Sequence, residues 1–332
     1  MESLGAAIAV FLASAICVVF AGIGLARYGD ELAESTGWGK LWVGTLLVAT
    51  ATSLPEVSVN VSAVWLEKSP GLALGNVFGA DMINVFVLAM VALAFGVSNL
   101  FGNQGRDTRI LILLGVALVS VAAAIGASGD LKLGPTSLGG LAILAVYIAG
   151  MRAVYRAGRV APDLDATVIR PVPGAARKAW IGFGISVAVV LVAGRYLAAS
   201  ADSIAQISGI SASFIGVLLV SIVTTLPEAS VTVTAALRRS YGIAMGNVYG
   251  SNAFNVTILS LSDLFHAEGP LLAEMQAAHF AAAGGALVLM IMGYLVWRAC
   301  QSAALGPARL LTPAIPVVWL AALYAVFTLA KG

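Results

Sequence analysis

The sequence predicts an all-α polytopic membrane protein with ten transmembrane helices, arranged as two inverted five-helix repeats. The 332-residue chain is 60% hydrophobic and 10% charged, with a mean hydropathy of +0.98, a composition that soluble domains do not have. Apolar stretches long enough to cross a bilayer recur along the chain. Two polar motifs also occur twice at a nearly fixed offset, which indicates an internal duplication.

Charged or turn-rich segments separate ten apolar spans along the chain. The first span follows no basic leader, so it is expected to be a retained helix and not a cleaved signal. With ten crossings, both termini lie on the same side of the membrane. The predicted spans are residues 3–26, 41–66, 70–100, 108–128, 133–152, 177–199, 211–237, 241–263, 277–298 and 310–330.

The duplicated motifs define the two halves of the chain. Residues 44–56 read GTLLVATATSLPE and residues 216–228 read GVLLVSIVTTLPE, with eight of thirteen positions identical at an offset of 172. Residues 75–81 (GNVFGAD) match residues 246–252 (GNVYGSN) at an offset of 171. The copies lie five predicted crossings apart and therefore face opposite ways, as in the inverted repeats of secondary transporters. The predicted organisation is a first five-helix repeat (1–156), a cytoplasmic linker (157–176) and a second, inverted five-helix repeat (177–332).

The basic residues orient this topology, because the cytoplasmic loops of membrane proteins are rich in Lys and Arg. If the amino terminus is outside, fourteen of the eighteen Lys and Arg residues fall in inner loops. We therefore expect a multi-pass protein of the cell membrane, with both termini extracytoplasmic and the central linker cytoplasmic. The basic residues thus report the topology, and the small net charge of +2 gives no indication of nucleic-acid binding.

Three acidic residues, Glu56, Asp81 and Glu228, lie deep within the predicted spans. A charged side chain at the bilayer centre costs on the order of 2.5–3.5 kcal/mol on insertion scales, so it usually marks an ion path or a buried ion pair. No basic residue lies deep enough in a span to pair with these acids, which argues against an ion pair that only holds helices together. A bound cation or a proton is therefore the expected counter-charge.

Further oxygen ligands are predicted beside each glutamate. Residues three and four positions before a helical residue share its face, and both copies have hydroxyl groups there. Pro55 and Pro227 lack an N–H, which frees the carbonyl four residues earlier, and freed carbonyls bind cations in broken membrane helices. Ca²⁺ and Na⁺ favour such oxygen ligands. The candidate ligands are Thr52, Ser53, Thr224, Thr225 and the carbonyls of Ala51 and Val223. On the same faces, Asn60 and Thr232 are expected to form hydrogen bonds between helices.

The second motif predicts a close approach of two helices. Two glycines lie four residues apart in each copy, a spacing that lets backbones come together. The motif ends at Asp81 in one copy and at Asn252 in the other, so a close approach would bring these side chains toward the glutamates. For Asn76, Asn84, Asn247 and Asn255, which also repeat, ligation and helix-to-helix hydrogen bonding are both open.

These residues resemble the calcium/cation antiporter superfamily, and in particular the short prokaryotic sodium/calcium exchangers. The resemblance covers essentially the whole chain and rests on TSLPE at residues 52–56, TTLPE at residues 224–228 and the two GNVxG segments. It implies a central site where the two glutamates, Asp81 and Asn252 bind Na⁺ and Ca²⁺ alternately. It also implies that the first and sixth helices slide across the rest of the protein. The family usually has Gly before the TSLPE motif, whereas Ala51 and Val223 stand here.

The predicted function is secondary active antiport of Na⁺ for Ca²⁺, by alternating access at one shared midplane carboxylate site. Ca²⁺ and Na⁺ are expected to bind as transported substrates that compete for the same oxygens. No enzymatic activity, cofactor or protein partner is expected. Apart from the transported ions, the protein is expected to contact the lipid bilayer. The alternative is an H⁺/divalent-cation antiporter that uses the same acids.

Two other functions have less support. A cation channel would use similar residues, but an inverted repeat favours alternating access. An intramembrane hydrolase would need paired acids or a metal-binding histidine. Asp81 is the only aspartate deep in a predicted span, and the two histidines, His266 and His279, fall in or beside the outer loop before the ninth span, where a solvated or interfacial role is expected.

Overall fold

Helices account for nearly all of the described chain. The computed structural model describes residues 3–36, 52–102, 104–158, 175–302 and 305–330. The helices are α1 (Leu4–Thr36), α2 (Leu54–Trp65), α3 (Pro70–Phe95), α4 (Val97–Phe101), α5 (Arg106–Ser128), α6 (Leu138–Gly158), α7 (Ala175–Ser208), α8 (Ala212–Ile215), α9 (Ser221–Leu237), α10 (Tyr241–Asp263), α11 (Ala277–Gln301) and α12 (Leu305–Leu329). A π-helical turn (Gly216–Val220) joins α8 to α9, and a 3₁₀ turn (Leu271–Glu274) precedes α11. Two short antiparallel strands, β1 (Lys132–Leu133) and β2 (Thr136–Ser137), precede α6.

Eight helical segments in the described residues are long and apolar enough to cross a membrane. They are α1, α3, α5, α6, α7, the continuous segment from α8 to α9, α11 and α12, and each coincides with a predicted span. Helix α10 also coincides with a predicted span, residues 241–263, but its asparagines and serines lower its hydropathy, so it is not among the eight. Residues 41–51 of the second predicted span lie outside the described residues. The protein is thus a multi-pass helical membrane protein.

Helices α1 and α7 are longer than predicted, ending at Thr36 and Ser208 and not near residues 26 and 199. The prediction ended these spans at charged residues. Charge ends an apolar span but does not end a helix, and Arg27 pairs with Glu31 one turn later at 3.0 Å between Nε and Oε1, a spacing that supports helix. The two long helices pack against each other along their length and lie across α2 and α9.

Helix α3 lies at the centre of the described structure. It contacts α2, α9, α10, α11 and α12 and is buried on all sides from Leu72 to Val85, as expected of a helix that is apolar around most of its circumference. Gly75 and Gly79 make the predicted close approach, since a Cβ on either would collide with backbone oxygens of α8 or the π-helical turn. Among described atoms, none lies within 4 Å of a Cβ placed on Gly246 or Gly250. Their counterpart segment, residues 41–49, is outside the described part of the chain.

Both histidines are buried, so the solvated role, one of the two expected from their position near a loop besides an interfacial one, is wrong. His266 is 4% exposed and His279 is fully buried. The Nδ1 atom of His279 accepts a hydrogen bond from the Gln276 N–H at 2.9 Å, so Nε2 carries the proton and donates to the Gly71 carbonyl at 3.1 Å. His279 thereby ties the start of α11 to the start of α3, a contact that no sequence pattern announces.

Candidate functional site

Two glutamates from different copies of the motif meet inside the protein. Glu56 lies in the first turn of α2 and Glu228 lies after the internal proline of α9, and each is 1% exposed. Glu56 is close enough to Glu228 and to Asp81 for their charges to interact. Asp81 is on α3 and is fully buried. The three acids that were predicted to lie deep within the membrane spans are therefore close together in the structure.

No basic side chain pairs with these acids in the part of the chain that the structure describes. The ion pairs there are Arg27 with Glu31, and Lys132 with Asp263 at 3.9 Å. Each of the three acids also has one buried oxygen without a hydrogen-bond partner: Glu56 Oε2, Asp81 Oδ2 and Glu228 Oε2. An unpartnered buried carboxylate oxygen is costly. These atoms therefore suit the binding of a cation or a proton.

Three of the four hydroxyl groups before the prolines contact the glutamate of the other copy. Ser53 Oγ donates to Glu228 Oε1 at 3.2 Å, and Thr52 also forms a hydrogen bond with Glu228. Conversely, Thr224 forms a hydrogen bond with Glu56. The sequence predicts that these hydroxyls lie beside the glutamate of their own motif. Because α2 and α9 pack together here, the hydroxyls of one motif also face the glutamate of the other. Thr52 and Thr224 are equivalent at the offset of 172, which makes the exchange reciprocal.

Thr224 has two candidate acceptors for one proton. Its Oγ1 lies 3.2 Å from Asn76 Oδ1 and also within reach of the Glu56 carboxylate. When Thr224 donates to Asn76, its lone pairs and the carboxylate oxygens of Glu56 repel each other unless a positive charge lies between them. The hydroxyl can thus act as a donor to an unoccupied carboxylate or as a ligand beside an ion.

A second group of polar side chains surrounds Asp81. Asn255 Nδ2 donates to Asp81 Oδ1 at 3.2 Å, and Asn84 Nδ2 donates to Asn252 Oδ1 at 2.9 Å. These bonds are again equivalent at the offset of 171, and they join α3 to α10. Asn252 uses its other end to donate to the Asp81 carbonyl at 3.3 Å. Asn255 Oδ1, in contrast, is buried without a hydrogen-bond partner. The sequence left both ligation and hydrogen bonding open for Asn255, and this free oxygen makes the residue a candidate ligand.

The residues one turn after each glutamate have the helix-to-helix role that was expected. Asn76 Nδ2 donates to Asn60 Oδ1 at 3.2 Å, and Asn247 Nδ2 donates to Thr232 Oγ1 at 3.0 Å. Asn247 also donates to the Glu228 carbonyl at 3.0 Å. The two pairs occupy equivalent positions and fix α3 to α2 and α10 to α9. They hold each glutamate helix against its neighbour one turn beyond the glutamate.

The predicted backbone ligands can be placed in one copy. Helix α9 continues through Pro227, so the buried Val223 carbonyl lacks its usual donor four residues later. Thr225 Oγ1, on the same turn, is buried without a hydrogen-bond partner. Ala51 lies outside the described residues. In the described ranges, no three His, Cys, Asp or Glu side chains converge as a compact metal centre, so hydroxyl, amide and carbonyl oxygens would have to complete any cation site.

Comparison with known proteins agrees with this arrangement. The family described as sodium/calcium exchanger protein matches residues 6–155 and 178–331. The inner membrane protein YrbG of Escherichia coli (strain K12) is 27% identical over 324 residues, which cover 96% of this chain and 97% of that protein.

Solved structures share the fold. The structure of the H⁺/Ca²⁺ exchanger CAX has a TM-score of 0.72 at 14% identity, over 98% of this chain and 85% of the other. A structure of the sodium-calcium exchanger NCX_Mj has a TM-score of 0.61 at 22% identity, over 98% of this chain and 99% of the other. The family and these neighbours are exchangers and not enzymes, which confirms the expectation of a transporter. The chain belongs to the sodium/calcium exchanger protein family.

Proposed function

We propose that this protein is a secondary active antiporter that exchanges Na⁺ for Ca²⁺ at one shared site. One observation carries the proposal. Glu56 and Glu228 come from the two copies of a duplicated motif, meet in the buried interior without a basic partner in the described chain, and each keep an unpartnered oxygen. Permanent burial of such acids in a membrane protein requires a counter-charge, and a transported cation supplies it.

The ligand set fits hard cations. Glu56 and Glu228 would contact Ca²⁺ directly, since carboxylates are its preferred ligands. Asp81, the hydroxyl groups and the carbonyls would complete overlapping Na⁺ positions; these ligands are Thr52, Ser53, Thr224, Thr225, Asn252 and the carbonyls of Ala51 and Val223. Because the same oxygens serve both ions, binding of one excludes the other. Mutual exclusion is what couples the opposite fluxes.

Alternating access would follow from an inverted duplication of ten helices, with repeats at residues 1–156 and 177–332 and a cytoplasmic linker at residues 157–176. The reciprocal hydrogen bonds between equivalent residues support a two-fold relation between the copies. The paired helices α1 and α7 lie across the glutamate helices, so their movement could open the site to one side at a time. Both termini are proposed to be extracytoplasmic.

H⁺/Ca²⁺ exchange is the second candidate. The observation that favours it is the same set of unpartnered carboxylate oxygens, because each can take a proton in place of an ion. In this case protons on Glu56, Asp81 and Glu228 would replace Na⁺ as the counter-substrate. The site residues would be unchanged.

Uptake of radioactive calcium into proteoliposomes tests both candidates. We expect a Na⁺ gradient to drive uptake and a pH gradient alone to leave it near background. Glu56→Gln and Glu228→Gln should each abolish uptake, since each removes one carboxylate charge. Glu274→Gln, which changes an exposed acid, is the matched control. Uptake that follows the pH gradient alone would favour H⁺ exchange, and full activity in both glutamine variants would refute the shared site.

A further inference from the structure

A basic cavity opens between the beginning of α5 and the end of α6. Its volume is about 760 Å³, a size typical of ligand sites. The two helices that form it pack against each other, and neither carries a residue of the cation site. The cavity is lined by the arginines Arg106, Arg152 and Arg156 and by the apolar residues Ile110, Ala149 and Ala153.

The three arginines of this cavity are exposed, and none forms an ion pair with a described residue. Asp107, the neighbour of Arg106 in the chain, is likewise in neither of the two described ion pairs. Three guanidinium groups around one cavity repel one another, and this repulsion is relieved when an anion binds among them. Guanidinium groups bind phosphate oxygens in a bidentate manner, which gives such a site preference for a phosphate group.

The cavity lies at the depth where membrane spans end. Arg106 opens the span of α5, and Arg152 and Arg156 are in the last turns of the span of α6. Deeper along the same helices, large apolar side chains face outward: Leu113 and Leu144 are 40% exposed and Ile148 is 48% exposed. A ligand that fits both regions has an anionic head and a hydrocarbon tail.

We propose that this cavity binds the phosphate headgroup of an anionic phospholipid, with the acyl chains along the outer face of α5 and α6. The three arginines are on the side predicted to be cytoplasmic, and the cytoplasmic leaflet is the one that carries anionic lipids. Basic pockets between transmembrane helices are known to hold such headgroups. Free phosphate shares the charge but has no tail to contact the apolar surface, so the lipid is the better fit.

Native mass spectrometry of the full-length protein, purified in detergent, tests this site by direct binding. Phosphatidylglycerol and phosphatidylcholine with the same acyl chains are titrated separately. We expect phosphatidylglycerol to bind at least about 10-fold more tightly, and the Arg106→Gln/Arg152→Gln/Arg156→Gln variant to lose on the order of 100-fold in its affinity for phosphatidylglycerol. The corresponding triple Lys variant keeps the charge but not the bidentate geometry, and it should show an intermediate affinity. If the Gln variant fails to fold, the Lys variant decides the question.

A matched control removes the same charge elsewhere on the same predicted side. Arg238, Arg298 and Arg309 are exposed and do not line the cavity, so their triple Gln variant should bind phosphatidylglycerol like the wild type. An equal loss in this control would show a general charge effect and overturn the proposal. So would unchanged affinity in both the Gln and the Lys cavity variants. Displacement of phosphatidylglycerol by millimolar inorganic phosphate would identify a free-anion site instead of a lipid site.

Discussion

The two copies of the duplicated motif hold matching residues, yet helices α1 and α7 cross them at different levels. Gly22 on α1 and Gly194 on α7 are equivalent, since the Ala-Gly and Leu-Ala pairs in this part of both helices match at the offset of 172. A Cβ on Gly22 would collide with the Pro227 ring, whereas a Cβ on Gly194 would collide with the side chain of Ser58. A symmetric crossing would place Gly194 against Pro55, three residues earlier.

The equivalent serines show the same difference. Ser58 Oγ reaches across to α7 and lies 3.2 Å from the carbonyl oxygens of Val190 and Leu191. Ser230, its counterpart, donates to the Leu226 carbonyl of its own helix at 2.9 Å. Three residues correspond to nearly one helical turn, about 4.5 Å along the axis. Under the alternating access proposed above, α1 and α7 would move to an alternative arrangement in which these contacts are exchanged and Ser230 bonds to α1.

The largest effect is expected at the position where the copies differ in charge. Asp81 and Asn252 are equivalent, and only Asp81 is an acid. Asp81→Asn keeps the shape and the hydrogen bond from Asn255 but removes a negative charge beside the glutamates that would contact Ca²⁺, so Ca²⁺ affinity should fall on the order of 100-fold. The double variant Asp81→Asn/Asn252→Asp restores the charge in the other copy and should recover most of the loss. Calcium binding by isothermal titration measures both.

Asn252→Asp alone is the control for this exchange, because it adds a fourth carboxylate without removing one. If Asp81→Asn binds Ca²⁺ like the wild type, the Asp81 charge does not act on the bound Ca²⁺ and the comparison between the copies carries no information on charge. If the double variant binds no better than Asp81→Asn alone, the two equivalent positions do not serve one common site.

A smaller loss is expected where the long helices cross the site. Gly22→Ala and Gly194→Ala each place a methyl group into a packed contact, and such overpacking costs about 1–3 kcal/mol. We therefore expect calcium uptake to fall about 10-fold in either variant. Ser58→Gly should partly restore the Gly194→Ala variant, since it removes the colliding side chain. Gly184→Ala, on α7 with no described atom within 4 Å of its new Cβ, is the control. Wild-type uptake in both crossing variants would contradict the observed contacts.

The serines should shift the balance between the two arrangements by less. Ser58→Ala removes a hydrogen bond made only in the described arrangement, and a net contribution of about 0.5–1.5 kcal/mol corresponds to roughly 2- to 10-fold in its population. Ser230→Ala should shift the population the opposite way. Labelling of a single cysteine introduced beside the site, from either side of the membrane, measures the shift. Ser120→Ala, which loses a bond within α5 alone, should have no effect. Shifts of the same sign in both variants would rule out exchanged contacts.

Much of this architecture could be predicted because membrane helices and their motifs leave strong local signals. Hydropathy located the spans, and the scarcity of charge in them isolated Glu56, Asp81 and Glu228. The end of α1 was predicted too early because charge reports contact with water and not the end of hydrogen bonding. The burial of His279 could not be predicted either, since its partner, Gly71, is 208 residues away in the chain.

The contacts of the site itself depend on how two distant helices face each other. Helical spacing correctly placed Ser53 beside a glutamate, but it could not tell that Glu228 and not its neighbour Glu56 would accept the hydrogen bond. Asn252 and Asn255 show the same limit. Both positions repeat in the sequence. Only the packing of α3 against α10 shows that both amide atoms of Asn252 form hydrogen bonds, whereas Asn255 Oδ1 has no partner.

The smallest effect is expected at the turns after α2 and α9, where the copies carry opposite charges. Glu67 follows α2 and Arg238 follows α9. Partial burial raises the pKa of Glu67, the nearby charge of Asp202 raises it further, and Arg195 lowers it. The folded protein therefore holds this proton more tightly than the unfolded chain does. Stability is lost as pH rises from the ordinary value of 4.5 through the raised pKa.

Glu67→Gln removes this titration, so its thermal unfolding midpoint should fall less than that of the wild type as pH rises through this window. Arg238→Gln changes the matching turn of the other copy, where no acid titrates, and its midpoint should differ from the wild type by a constant amount over the same window. Because Glu67 is only partly buried, water screens its charge and the slope should be small. Parallel curves for Glu67→Gln and the wild type would mean that this turn does not sense the proton, and that the charge difference between the copies at this position has no consequence for stability.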